Sequence, residues 1–99
     1  MYNPTVPLIH PGEQLREEFV KPRGLSVERL ATDIGVPINH VQALMAEKRE
    51  VSVEMALRLA RYFGTSPKFW LDLQRDYDLW LTEVSTGAQI AARVRPYSS

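Results

Sequence analysis

The feature that most constrains this chain is a glycine set inside an otherwise helical pattern. Leu30, Ile34, Val41 and Leu44 are apolar at helical spacing, yet Gly35 interrupts the run. Glycine takes the left-handed conformation that ends a helix sharply, so the stretch reads as two short helices meeting at an angle. Ala31, one turn before the corner, is small enough to let the second helix approach closely, and Val36 just after it plugs the space between them.

The rest of the chain is helical in the same sense, and the expected fold class is all-α. Met1 to Ile9 holds Pro4 and Pro7 and no periodic pattern, so it reads as an extended arm. Its Tyr2, Val6, Leu8 and Ile9 can lie on the domain or on a partner chain. His10-Pro11-Gly12 opens a helix with Leu15 and Phe19 on one side and Arg16, Glu17 and Glu18 mostly on the other, stopped by Pro22 and Gly24. Ser26, Ser52 and Ser66 are each placed to cap a following helix, and Pro37 and Pro67 suit a first helical turn. In the third helix Val41, Leu44 and Met45 point inward, leaving Ile38, Asn39, His40, Gln42, Ala43 and Ala46 outside. Ala56, Leu59, Ala60 and Phe63 form the buried stripe of a fourth helix, ended by Gly64.

A fifth helix is predicted from Pro67 to about Glu83, with more apolar surface than one core needs. A second copy of the chain is the economical partner, with Trp70, Leu73, Tyr77, Leu79 and Trp80 as the expected dimer contacts, although an aromatic stripe such as Phe69, Trp70, Tyr77 and Trp80 at helical spacing is more usually core. Ser85-Thr86-Gly87 reads as a break, and Ala88 to Val94 as a weak helix or mobile tail. The expected organisation is an arm over 1–9, one domain over 10–83 and a tail over 84–99.

Ninety-nine residues suffice for one core. There is no cysteine, hence no disulfide and no thiolate metal site. No apolar run approaches the roughly 20 residues that span a bilayer, and a soluble cytoplasmic protein without a membrane partner is expected. Twelve Lys and Arg balance twelve Asp and Glu, which gives no net attraction to a polyanion. Any nucleic-acid binding must therefore rest on a local basic rim and weaken quickly with salt. Asp72, Asp76, Asp78 and Glu83 are acidic but have no neighbouring histidine, and His10 and His40 lie 30 residues apart without ligand spacing. No nucleophile elbow or glycine-rich phosphate loop occurs, so no catalytic residue, metal or cofactor is expected.

The bent pair of helices resembles the DNA-binding helix-turn-helix, whose second helix enters the major groove. The chain more widely resembles the HigA family of antitoxin and transcriptional repressor proteins, within the lambda-repressor-like group. Beyond the bend, the resemblance is carried by His10-Pro11-Gly12-Glu13 with Leu15-Arg16-Glu17-Glu18-Phe19, Val51-Ser52 with Met55-Ala56-Leu57-Arg58-Leu59-Ala60, and Phe63-Gly64-Thr65-Ser66-Pro67 with Phe69-Trp70-Leu71 and Leu73-Gln74. It implies a five-helix lambda-repressor-like domain and a homodimer on a palindromic operator in its own promoter. It also implies a partner toxin that is a RelE-like, ribosome-dependent messenger-RNA endonuclease. Three positions depart from similar proteins: Val27 stands where a phosphate-holding glutamine is common, Pro37 where serine is, and Glu47 where a glycine precedes Lys48 and Arg49.

Asn39 and Gln42 can each pair with the N6 and N7 edge of adenine, contacts worth roughly 1–3 kcal/mol of discrimination. His40 suits a phosphate or a base acceptor, or is simply solvated. Lys48 and Arg49 are expected on backbone phosphates, which position without reading sequence. Ile38 and Ser26, at the starts of the two helices, complete the expected DNA-facing set. Arg29 is less available, because Asp33 four residues on can pair with it. Two alternatives stay open: a free-standing repressor without a toxin, and an interaction module that no longer binds DNA.

Overall fold

The computed structural model describes residues 8–98, which contain five helices and no strand. The first helix, α1, is regular over Pro11–Gln14, widens to a π-helix over Leu15–Val20 and tightens to a 3-10 turn over Lys21–Arg23. A π-turn bonds i to i+5, so Leu15 and Val20 come to the same side, and both are buried. Helices α2 (Val27–Ile34) and α3 (Ile38–Met45) form the bend, followed by α4 (Val53–Phe63) and α5 (Pro67–Arg93).

The ends of the helices follow their residues. The hydroxyls of Ser26, Ser52 and Ser66 accept from the amides of Arg29, Met55 and Phe69 at 3.0–3.1 Å. At the corner Gly35 has φ 73°, and the amides of Gly35 and Val36 donate back to the carbonyls of Thr32 and Ala31. The end of α3 is built the same way, with the amides of Glu47 and Lys48 donating to Leu44 and Ala43. There the left-handed position is held by Glu47, φ 62°, a residue with a Cβ.

The core joins Leu15, Leu30, Ala31, Ile34, Val41, Leu44, Met55, Ala56, Leu59 and Trp70. Four expectations change against this frame. Trp70 is not a surface residue: it is 0% exposed, its indole N–H donates to the Thr65 hydroxyl at 2.8 Å, and it has no area left to give a second copy. The break at Ser85-Thr86-Gly87 is absent, and α5 continues to Arg93. A helical glycine costs only about 1 kcal/mol relative to alanine, and the Ser85 hydroxyl bonds back to the Leu81 carbonyl at 2.7 Å. The boundary at 83/84 therefore falls inside a helix. Pro37 sits one position before the first turn of α3, as its N-cap, with its carbonyl accepting from His40 and Val41. Of the expected arm, residues 1–7 lie outside the described residues; Leu8 and Ile9 line a shallow groove with Leu73 and Asp76.

Candidate nucleic-acid interface

The second helix of the bend, α3, lies against α2 and α1 and turns its other side to solvent. Val41 and Leu44 are buried, whereas Asn39 and Gln42 are exposed and Ile38 is 37% exposed. Two amide side chains thus stand on the free face of a short helix one turn apart, within reach of a single base-pair ladder. Pro37 supplies no side-chain cap to α3, so the amides of Ile38 and Asn39 stay open to an anion, while that of His40 donates to the Pro37 carbonyl. Ser26 is exposed at the start of α2; its oxygen is used as the cap, and its hydroxyl proton remains to donate.

Lys48 and Arg49 follow the left-handed turn after α3, are exposed, and among the described residues take part in no ion pair. His40 is half-buried and lines a groove of about 220 Å³ with Arg49, Ser52, Glu54 and Arg58. Burial lowers the His40 pKa below its ordinary value, and the neighbouring Arg49 charge acts in the same direction against Glu54. A neutral imidazole beside Arg49 can still donate one N–H. Arg29 is held by Asp33, Nε to Oδ2 3.2 Å, and the same oxygen accepts from the Tyr62 hydroxyl at 2.6 Å. That hydroxyl, more than Arg29, keeps the Asp33 carboxyl below its ordinary pKa.

The structure brings together Asn39, Gln42 and Ile38 on one helix face, with His40 and Arg49 beside the α4 N-terminus. It also supplies supports that periodicity did not reveal. Arg16, expected to face away, reaches back so that its guanidinium donates to the Met45 carbonyl at the end of α3 and lies 3.6 Å from Glu47. Arg58 of α4 donates to the Ile34 carbonyl at 2.6 Å, at the end of α2. Gln74 is buried on α5 and accepts from the Val51 amide at 2.8 Å, fixing the loop that carries Lys48 and Arg49. A polar residue between the apolar positions of α5 was the one signal for it.

The residues expected to meet a second copy divide. Leu73 is half-buried against the core, Tyr77 packs edge-on against His10 with ring centres 4.9 Å apart, and the Trp80 ring lies tilted by 52° against Tyr77 at 5.8 Å. Leu79 is 45% exposed, and beyond it Leu81, Val84, Ile90 and Val94 are exposed too. The distal half of α5 therefore presents exposed apolar side chains that no other described residue covers. Among the described residues no group of acidic or histidine side chains is arranged to hold a metal ion, and no helix is long and apolar enough to cross a membrane.

The family model described as Helix-turn-helix matches residues 15–70. Virulence-associated protein I of Dichelobacter nodosus is 45% identical over 78 residues, covering 79% of this chain and 72% of that protein. Antitoxin HigA-1 of Vibrio cholerae is 38% identical over 71 residues, covering 72% of this chain and 67% of that protein. Among solved structures, Pseudomonas aeruginosa antitoxin HigA with higBA promoter superposes at a TM-score of 0.88 with 40% identity, over 94% of this chain and 100% of that one.

Proposed function

This chain belongs to the helix-turn-helix family, in its HigA-like antitoxin branch, and from that membership we propose that it is a transcriptional repressor and antitoxin that binds operator DNA in its own promoter. The observation that carries the reading is the free face of α3: Asn39 and Gln42 exposed, the residues behind them buried, and no side chain capping the amides of Ile38 and Asn39. Asn39 and Gln42 read base edges in the major groove, while Lys48, Arg49, His40, Ser26 and the α3 N-terminus beside Ile38 meet the backbone. The neutral overall charge limits affinity to what this local rim supplies.

The protein acts as a homodimer through the distal apolar part of α5, with two α3 helices about 34 Å or a multiple of that apart on a two-fold operator. Its partner is a toxin of the RelE-like messenger-RNA endonuclease type, encoded in the adjacent reading frame. Co-purification with the product of that frame tests the toxin; its failure leaves a free-standing repressor.

The DNA reading is tested by titrating the protein against the duplex upstream of its own reading frame and against a scrambled duplex of equal composition. Gln42→Ala is expected to weaken the first about ten-fold, the equivalent of one lost bidentate contact, and to spare the second. Lys48→Ala is expected to weaken both alike and to flatten the salt dependence. Equal loss on the two duplexes for Gln42→Ala removes its reading role.

A further inference from the structure

We infer that Arg58 is a positioning residue for base reading: its guanidinium joins the corner of the bend to α4 and so fixes the angle at which α3 is presented. The inference rests on the DNA-binding reading above. Nη1 donates to the Ile34 carbonyl at 2.6 Å and approaches the Gly35 carbonyl at 3.4 Å. Nε and Nη2 both donate to Glu54 Oε2, at 3.2 and 2.9 Å. One planar group therefore ties the last carbonyls of α2 to the first turn of α4, a geometry that a lysine ammonium cannot reproduce.

The tie matters because of how α3 is held. It packs on α2 and α1, and α4 makes no comparable contact with it. Its C-terminal end is fastened to α1 by Arg16 on the Met45 carbonyl and by the backbone of Gly12, where an added Cβ would stand 1.8 Å from the Leu44 oxygen. Its N-terminal end follows directly from the corner, with His40 half-buried beside Glu54 of α4, and among the described residues Arg58 is the side chain that bonds the carbonyls of that corner. Gly35 is fitted to the same grip: besides its left-handed backbone, an added Cβ would lie 3.1 Å from Arg58 Nη1. Arg58 is half-buried and faces the groove that holds His40 and Arg49, so it acts beside the DNA-facing set without belonging to the exposed face of α3.

The test compares Arg58→Ala, Arg58→Lys and Glu54→Gln with wild type, each folded by circular dichroism at the assay temperature. Arg61→Ala serves as a control that removes an exposed cation from the same helix. Binding is measured to the chain's own upstream duplex and to its scrambled counterpart, and backbone amide resonances of α3 are recorded without DNA. Arg58→Ala is expected to lower affinity for the upstream duplex at least ten-fold and for the scrambled duplex less than two-fold. Arg58→Lys should recover part of the loss, Glu54→Gln should lose a smaller share, and the amides of Asn39 and Gln42 should shift without DNA. Arg61→Ala should leave both affinities and those resonances unchanged. Unchanged discrimination in Arg58→Ala, or a loss equal on both duplexes, overturns the inference. If Arg58→Ala does not fold, unchanged discrimination in both Arg58→Lys and Glu54→Gln overturns it. If wild type does not distinguish the duplexes, the DNA reading itself fails. The resonances then decide Arg58 separately, and shifts confined to α4 overturn its positioning role.

Discussion

Glu47 occupies a backbone position that usually goes to glycine. At φ 62° its Cβ is crowded against the backbone, at about 1–2 kcal/mol, whereas Gly24, Gly35 and Gly64 take the same conformation freely. Offsetting this is the contact with Arg16 at 3.6 Å, a partly exposed pair worth about 0–1 kcal/mol. The strain outweighs that contact, so Glu47→Gly is expected to stabilise the fold by about 0.5–1 kcal/mol, read as a raised Tm; a lowered Tm would show the Arg16 contact to dominate. Gly12 is the opposite case. Its φ is unremarkable, but a Cβ would meet the Leu44 carbonyl at 1.8 Å, and backbone cannot swing aside as a side-chain tip can. Gly12→Ala should therefore cost about 2–3 kcal/mol or more by forcing α1 off α3, measured by urea denaturation. A cost below 1 kcal/mol would show that α1 relaxes freely. The left-handed glycines were legible in the sequence because they end apolar runs. Gly12 carries no such mark, since its need comes from a neighbour 32 positions away.

At the scale of elements, α1 is the piece whose chemistry responds to pH. His10 caps it, Nδ1 accepting the Gly12 amide at 2.9 Å, and is buried against Tyr77. Burial lowers its pKa below 6.5 and outweighs the attraction of Glu47, Asp78 and Glu13. The folded state thus takes the proton less readily than the unfolded chain. This contribution to stability is complete above the unfolded value near 6.5 and is lost as pH falls towards the lower folded value. Protonation also abolishes the cap, because Nδ1 then has no lone pair to accept with. The fall in Tm between pH 7 and pH 5 is expected to be smaller in His10→Asn, which keeps a capping acceptor and does not titrate. An equal fall in both proteins would assign the acid sensitivity to the carboxylates. The sequence shows that His10-Pro11-Gly12 opens a helix, but not that the imidazole is the cap, because the ring is turned inward by Tyr77 from another element.

At the scale of the molecule, the described residues form an elongated body, 55 Å by 23 Å by 23 Å, because α5 outruns the domain it starts in. Its first half is anchored by Trp70 and Gln74, and most of its distal residues are exposed. The distal part of α5, over 81–93, is short enough to be marginal in water by itself, and Leu79, Leu81, Val84, Ile90 and Val94 expose apolar surface that another copy can cover. The double substitution Leu79→Asp, Val84→Asp is expected to shift the protein from dimer to monomer in sedimentation at micromolar concentration. It should lower affinity for a two-fold operator more than for one half-site. A sedimentation coefficient unchanged from a dimeric wild type would place the contact elsewhere.

Taken alone, the sequence determines the parts that depend on local chemistry. The glycine corner, the serine caps, the inward Val41 and Leu44 and the outward Asn39 and Gln42 all follow from helical period and from which side chains can bond their own backbone. Only the tertiary structure decides what spans elements: Trp70 is core rather than surface, Arg16 and Arg58 clasp the ends of the bend, and α5 runs on through Gly87. A long arginine or a large indole is compatible with solvent, core or capping, and its fate depends on which carbonyl or ring a distant helix brings within about 3–5 Å of it.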